Sequence, residues 1–303
     1  MSTRRIALLA VLIALASALF FTATYVLNRA IAVAGGHWAW SAALRYLLTL
    51  PMLALVLRMR GGFAPVWAAL RVHPWVWLGW SAIGFTLFCV LLTWAADHAP
   101  AWLVAGTFQL TVIAGMLLGP LLYRDERARL PREAWLALLA VGTSAFLYPL
   151  GNRAILLHLE RSGETLDATQ RVFGMTLASQ PFWLVVAVYA GVVAGAPSSS
   201  QVLLAAGVAL SAGTIATILF FQATAMVKDD PGALGAVEAM QAAELIFSTV
   251  LGVVFLGEQV PRGWAALGAL LVMLGIAGLG LLVGRRSAGD ERATRALRTD
   301  RGA

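Results

Sequence analysis

One cysteine and one lysine occur among 303 residues, and charged side chains make up only 12% of the chain. The lone Cys89 excludes an intrachain disulfide and any cysteine-based metal site; lying inside an apolar run, it reads as packing. So little charge excludes a water-soluble domain, in which about a quarter of residues are charged. The four histidines, His37, His73, His98 and His158, fall in or beside different polar breaks with no metal-ligand spacing between them. No P-loop and no Gly-x-Ser-x-Gly sequence occurs. A self-contained ATP-driven pump and the common hydrolases are thereby excluded, and the chain reads as a non-enzyme without cofactor or metal.

What the sequence has in abundance is apolar length. Hydrophobic residues make up 60% of the chain and the mean hydropathy is +0.81. They come in runs of about 20 residues, the length that crosses a hydrocarbon core of roughly 30 Å. Runs at 6–27, 38–57, 75–96, 101–123, 134–157, 172–195, 202–227, 233–256 and 263–284 give nine visible spans. Each must be helical, because backbone groups in lipid have no water to bond. The net charge of +7 comes from 21 arginines and Lys228, most of them in the polar breaks and the tail. That distribution speaks of membrane orientation and gives no support to nucleic-acid binding. Arg4, Arg5, Arg58, Arg60, Arg71, Arg124, Arg127, Arg129 and Arg132 share one side and place the N-terminus in the cytoplasm. Nine spans would leave the tail outside, yet its arginines at 285, 286, 292, 295, 298 and 301 demand the inside. A tenth crossing, or a broken segment, is therefore expected between residues 124 and 170.

Self-comparison points to a duplication. Asn28-Arg29-Ala30-Ile31 recurs letter for letter as Asn152-Arg153-Ala154-Ile155. Arg45 and Pro51 match Arg171 and Pro181, Ala95 and Pro100 match Ala223 and Pro231, and Gln109 and Glu126 match Gln241 and Glu258. The order is collinear, with offsets that drift from 124 to 132. Two halves of opposite charge preference are what an inverted repeat produces. The expected organisation is a first repeat at 1–132, a second at 133–284 and a disordered basic tail at 285–303.

Several of these segments resemble the drug/metabolite transporter superfamily, and within it the EamA-like branch of multidrug resistance efflux transporters. The likeness rests on Asn28-Arg29, Trp38 to Ser41, Leu44-Arg45-Tyr46, Tyr148 to Arg153, Gln170 to Thr176, Pro181-Phe182-Trp183, Ala216-Thr217, Phe220-Phe221, Ala223-Thr224 and Val237 to Glu244. The resemblance implies ten helices as two inverted five-helix repeats, cytoplasmic termini and a substrate cavity between the halves. The expected protein is an all-α polytopic transporter of the bacterial inner membrane, exporting small amphipathic molecules or metabolites as a monomer or homodimer. A non-transporting subunit or degenerate duplicate is the alternative.

Ionisable groups inside spans cost roughly 2.5–3.5 kcal/mol at the bilayer centre and persist only with a partner or a watery cavity. Arg45, Arg171, Glu238 and Glu244 are such groups. Glu238, Gln241 and Glu244 recur every three residues and form one slowly drifting polar stripe. Glu244, nearest the midplane, is the candidate for coupling to protons, and the two arginines are expected to face the interior and offset the acids. Gln109, Tyr148 and Asn152 are candidate hydrogen-bonding groups for a substrate or a neighbouring helix. Trp38, Trp40, Trp75, Trp77 and Trp80 read as an interfacial belt, with Trp94, Trp183, Phe220 and Phe221 deeper.

Overall fold

The computed structural model describes residues 3–60, 62–108, 143–227 and 239–263, with single positions between 233 and 274, and its regular structure there is all helical. The front part holds α1 (Thr3–Phe21), α2 (Ala23–Val33), α3 (Trp38–Arg60), α4 (Ala64–Val72), α5 (Pro74–Ser81), α6 (Phe88–His98) and α7 (Ala101–Phe108). The back part holds α8 (Thr143–Ser162), α9 (Ala168–Ala194), α10 (Ser199–Val208), α11 (Thr217–Met226) and α12 (Ala243–Leu256). Five continuous helices are long and apolar enough to cross a membrane: Arg5–Val33, Trp38–Arg60, Pro74–His98, Ala168–Ala194 and Ser199–Met226. Of the remaining expected spans, 101–123 and 263–284 lie mostly outside the described residues.

Local chemistry explains how these helices begin and bend. The Thr22 hydroxyl donates to the Ala18 carbonyl at 2.9 Å, a back-bond that bends the first crossing between α1 and α2. α9 starts at Ala168, four residues before its apolar run, because Asp167 and Gln170 close a reciprocal capping box. α3 carries on to Arg60, its last turn placing Arg58 and Arg60 where cations favour a helix C-terminus.

Contacts fix the direction of each helix. Trp40 donates to the Gly195 carbonyl, Tyr46 stacks on Trp183 at 4.6 Å and Phe63 meets Phe173, so α3 and α9 run antiparallel. Gly84 backs onto Gly151 and His73 meets His158 at 4.5 Å, so α8 is antiparallel to α5–α6. Ser17 donates to Ala216 and Ser211 to Phe20, so α1 is antiparallel to α10–α11. The packing is reciprocal: the first helix of each half lies on the third crossing of the other. One end of the bundle gathers Arg58, Arg60, Arg71 and Arg161; the other gathers Arg29, His98, Gly195 and Glu258.

The third crossing of each half carries the same irregularity. α5 and α6 are joined by a π-helical turn at Ala82–Leu87, and α10 and α11 by one at Ala209–Ala216. Their starts are 127 residues apart and their ends 129 (209 − 82 and 216 − 87), inside the offset range of the sequence repeat. In the second turn Thr214 and Thr217 donate to carbonyls five residues back, at 3.1 and 3.0 Å, as the wider winding allows.

One tryptophan requires a correction. Trp77 is not interfacial; it is fully buried, with its ring over Gly174, where a Cβ would come within 2.8 Å of it. Trp94 faces outward from the bundle, 49% exposed, beside His98.

Candidate functional site

The first crossing and α12 meet around a buried acid. Glu244 is 3% exposed, and its Oε2 accepts from the Tyr25 hydroxyl of α2 at 2.7 Å. Arg45 of α3, 7% exposed, donates through Nη1 to the Thr24 hydroxyl at 3.2 Å. Its guanidinium lies 5.6 Å from the Tyr46 ring centre, within electrostatic reach of Glu244 and against the Cys89 thiol. Adjacent residues Thr24 and Tyr25 thus hold the guanidinium and the carboxyl group. Among the described residues no direct Arg45–Glu244 salt bridge forms.

The backbone before α12 explains how the polar stripe is presented. Met240–Ala242 form a 3₁₀ turn, in which side chains three residues apart eclipse one another. Gln241 lies in this turn and Glu244 in the first turn of the α-helix that follows it. The Gln241 Nε2 is buried without a hydrogen-bond partner among the described residues. A buried amide beside a buried carboxylate is the kind of polar surface a substrate or water can complete.

Arg171 takes its place at the arginine-rich end of α9, 9% exposed, with its guanidinium 5.1 Å from the Phe221 ring centre. Because α3 and α9 run antiparallel, Arg45 and Arg171 sit at opposite depths. Asn152 is half-buried on α8 and makes no hydrogen bond to the Tyr25–Glu244 pair. Glu238, Gln109 and the side chain of Tyr148 lie outside the described residues. Trp183, expected to lie deep, is core, stacked on Tyr46 and donating to the Ser179 hydroxyl at 3.0 Å.

Sequence reasoning missed Tyr25. Its signal was a phenol within an apolar run, a group that needs a polar partner once buried. A second polar junction, at the end of the bundle away from Arg58, Arg60 and Arg71, was also unforeseen. Glu258 accepts the Ala101 backbone N–H on both carboxylate oxygens, at 2.9 and 3.1 Å, and lies 3.7 Å from Arg29 Nε. Arg29 in turn donates to the Ala96 and Asp97 carbonyls at 3.3 and 3.1 Å.

The fold and this buried ionic cluster define a polytopic helical membrane protein with charge placed where only function or pairing sustains it. The EmrE family model, described as "Putative multidrug resistance efflux transporter", matches the chain twice, over residues 8–141 and 130–284. The chain belongs to this efflux transporter family of the drug/metabolite transporter superfamily. It is 39% identical to "Uncharacterized protein YjlA" of Bacillus subtilis (strain 168), over 88% of this chain and 93% of that protein. It is 38% identical to the "Uncharacterized 42.1 kDa protein in intracellular alkaline protease 3'region" of Shouchella clausii, over 74% of this chain and 67% of that one.

Proposed function

We propose that the chain is a secondary transporter of the bacterial inner membrane that exports small amphipathic molecules in exchange for protons. Two inverted repeats, 1–132 and 133–284, rock about a site centred on Glu244. The observation that carries this reading is the Tyr25–Glu244 hydrogen bond beside Arg45: a lone carboxylate, almost wholly buried, on a seam between α2 and α12. Reciprocal packing of the third crossings and two successive family matches support the repeat. In the cycle Glu244 accepts a proton when the site faces outward and releases it inward, and substrate occupies the site on the return. Alternating access lets either occupant bind, and never both.

Purified protein in liposomes with an imposed pH gradient tests this. A panel of small aromatic cations, zwitterions and carboxylates serves as substrate, with thermal stabilisation as the parallel binding readout. We expect gradient-driven flux of at least one class. Glu244→Gln is expected to retain fold and some binding while transport loses its pH dependence. Neither flux nor stabilisation by any member of the panel would overturn the transporter reading in favour of a non-transporting subunit. An unchanged pH profile in Glu244→Gln would remove the coupling role from that residue.

A further inference from the structure

The junction at Arg29 and Glu258 joins four elements that must part if the outer end of the bundle opens. Glu258 follows α12; Arg29 belongs to α2; the carbonyls it caps end α6; and the N–H that Glu258 caps begins α7. Each charge does two things at once. Arg29 satisfies orphan carbonyls at a helix C-terminus, Glu258 an orphan N–H at a helix N-terminus, and they attract each other.

The backbone is shaped for this contact. α12 ends at Gly257 in the left-handed region, φ +64°, and the Glu258 N–H returns to the Gly252 carbonyl at 3.1 Å. This reversal folds the Glu258 carboxylate back over Gly252, where a Cβ would lie 2.5 Å from Oε2. A Cβ at 252 would push the carboxylate from its place against α7. An open cavity of about 500 Å³ lies over the junction, lined by Arg29, Pro100, Trp102, Glu258 and Arg262. One side of the contact is therefore open.

On its other side the contact connects to the buried acid. Glu244, Ser248 and Gly252 are spaced four residues apart and lie along one buried stripe of α12, with Ser248 fully buried. Tyr25 and Arg29 are likewise four residues apart on α2. Two polar contacts therefore zip α2 to the back half: Tyr25 to Glu244 in the interior and Arg29 to Glu258 at the mouth.

We infer that the Arg29–Glu258 pair, with the Ala101 amide, is the latch of the outer gate, and that its rupture separates α2 and α7 from α12 and opens the path to Glu244. This inference rests on the alternating-access reading for its purpose, but the latch itself is tested without transport. Purified full-length protein carrying Cys89→Ala and a reporter cysteine, Ser248→Cys, is reacted with a bulky polar thiol reagent. A second reporter, Ser179→Cys, is equally buried in α9 against Trp183, remote from the latch. Glu258→Gln keeps an acceptor for the Ala101 amide and removes the charge; Arg29→Gln removes the cation. Each is expected to raise the labelling rate at position 248 at least fivefold while that at 179 stays within twofold. Unchanged labelling at 248 overturns the latch, as does a parallel rise at both reporters, which would report general loosening. Selective opening without flux in liposomes would retain the latch and refute the transporter. Flux without selective opening would do the reverse.

Discussion

A carboxylate 3% exposed among helices has exchanged water for whatever donors the fold supplies, and for Glu244 the described donor is Tyr25. Removing that donor leaves the desolvation cost uncompensated, worth about 1–3 kcal/mol. Tyr25→Phe is therefore expected to lower stability by that amount in thermal unfolding of the purified protein. Combined with Glu244→Gln, it should cost less than the two single changes added together, because both remove one interaction. Strict additivity would show that the 2.7 Å contact contributes nothing. Glu244 and Arg45 were legible in the sequence because an ionisable group inside an apolar run is costly and stands out against it. Tyr25 was not: a tyrosine in a membrane helix is ordinary, and its partner lies 219 positions away. Arg29 illustrates the same limit. At a span end it reads equally well as a side chain reaching for the interface, and only the fold supplies Glu258.

Helices follow from hydropathy, but the way they touch does not. α5–α6 and α8 approach until Gly84 and Gly151 meet backbone to backbone, so a Cβ at 151 would fall 2.5 Å from the Gly84 Cα. No flexible side chain is present to yield. Gly151→Ala is expected to destabilise by about 1–3 kcal/mol through overpacking. Gly79→Ala, in the same crossing with nothing within 4 Å of its added Cβ, should be neutral or stabilise by about 0.5–1 kcal/mol through helix propensity. Equal effects of the two in thermal unfolding would refute the close approach. Span positions were readable from apolar runs, and the start of α9 could have been read from Asp167 and Gln170. The π-helical turns were invisible, since a wider turn inside an apolar run leaves its hydropathy unchanged. Trp77 misled for a related reason: its place near the start of a crossing suggested the interface, whereas the bare Gly174 on α9 admits its ring to the core.

At the scale of the whole molecule the parity of crossings decides where the tail lies. The first crossing runs from the arginine-rich end to the Glu258 end, α3 returns, and α5–α6 comes back again. α7 leaves the Glu258 end, with Gly106 already beside Leu245 inside the bundle. α8 nonetheless starts toward that same end, because Gly151 lies level with Gly84 and His158 with His73. Residues 109–142, between them, lie outside the described residues, and the further crossing that charge bias called for between 124 and 170 falls partly there. Continuing through α9, α10–α11 and α12 brings the chain back to the Glu258 end. The apolar run at 263–284 lies mostly outside the described residues; the sequence expectation of ten crossings has it cross once more and carry Arg285, Arg286 and the four arginines after them to the side of Arg58, Arg60 and Arg71. Retention of arginine-rich segments in the cytoplasm favours the same outcome independently of the count. A reporter active only outside the cytoplasm should be silent when fused after Gly284, and active when fused in the turn after Gly195. Activity at both positions would leave nine crossings. The two halves could not then be inverted copies, and the reciprocal packing of α1 on α10–α11 and α8 on α5–α6 would need another origin.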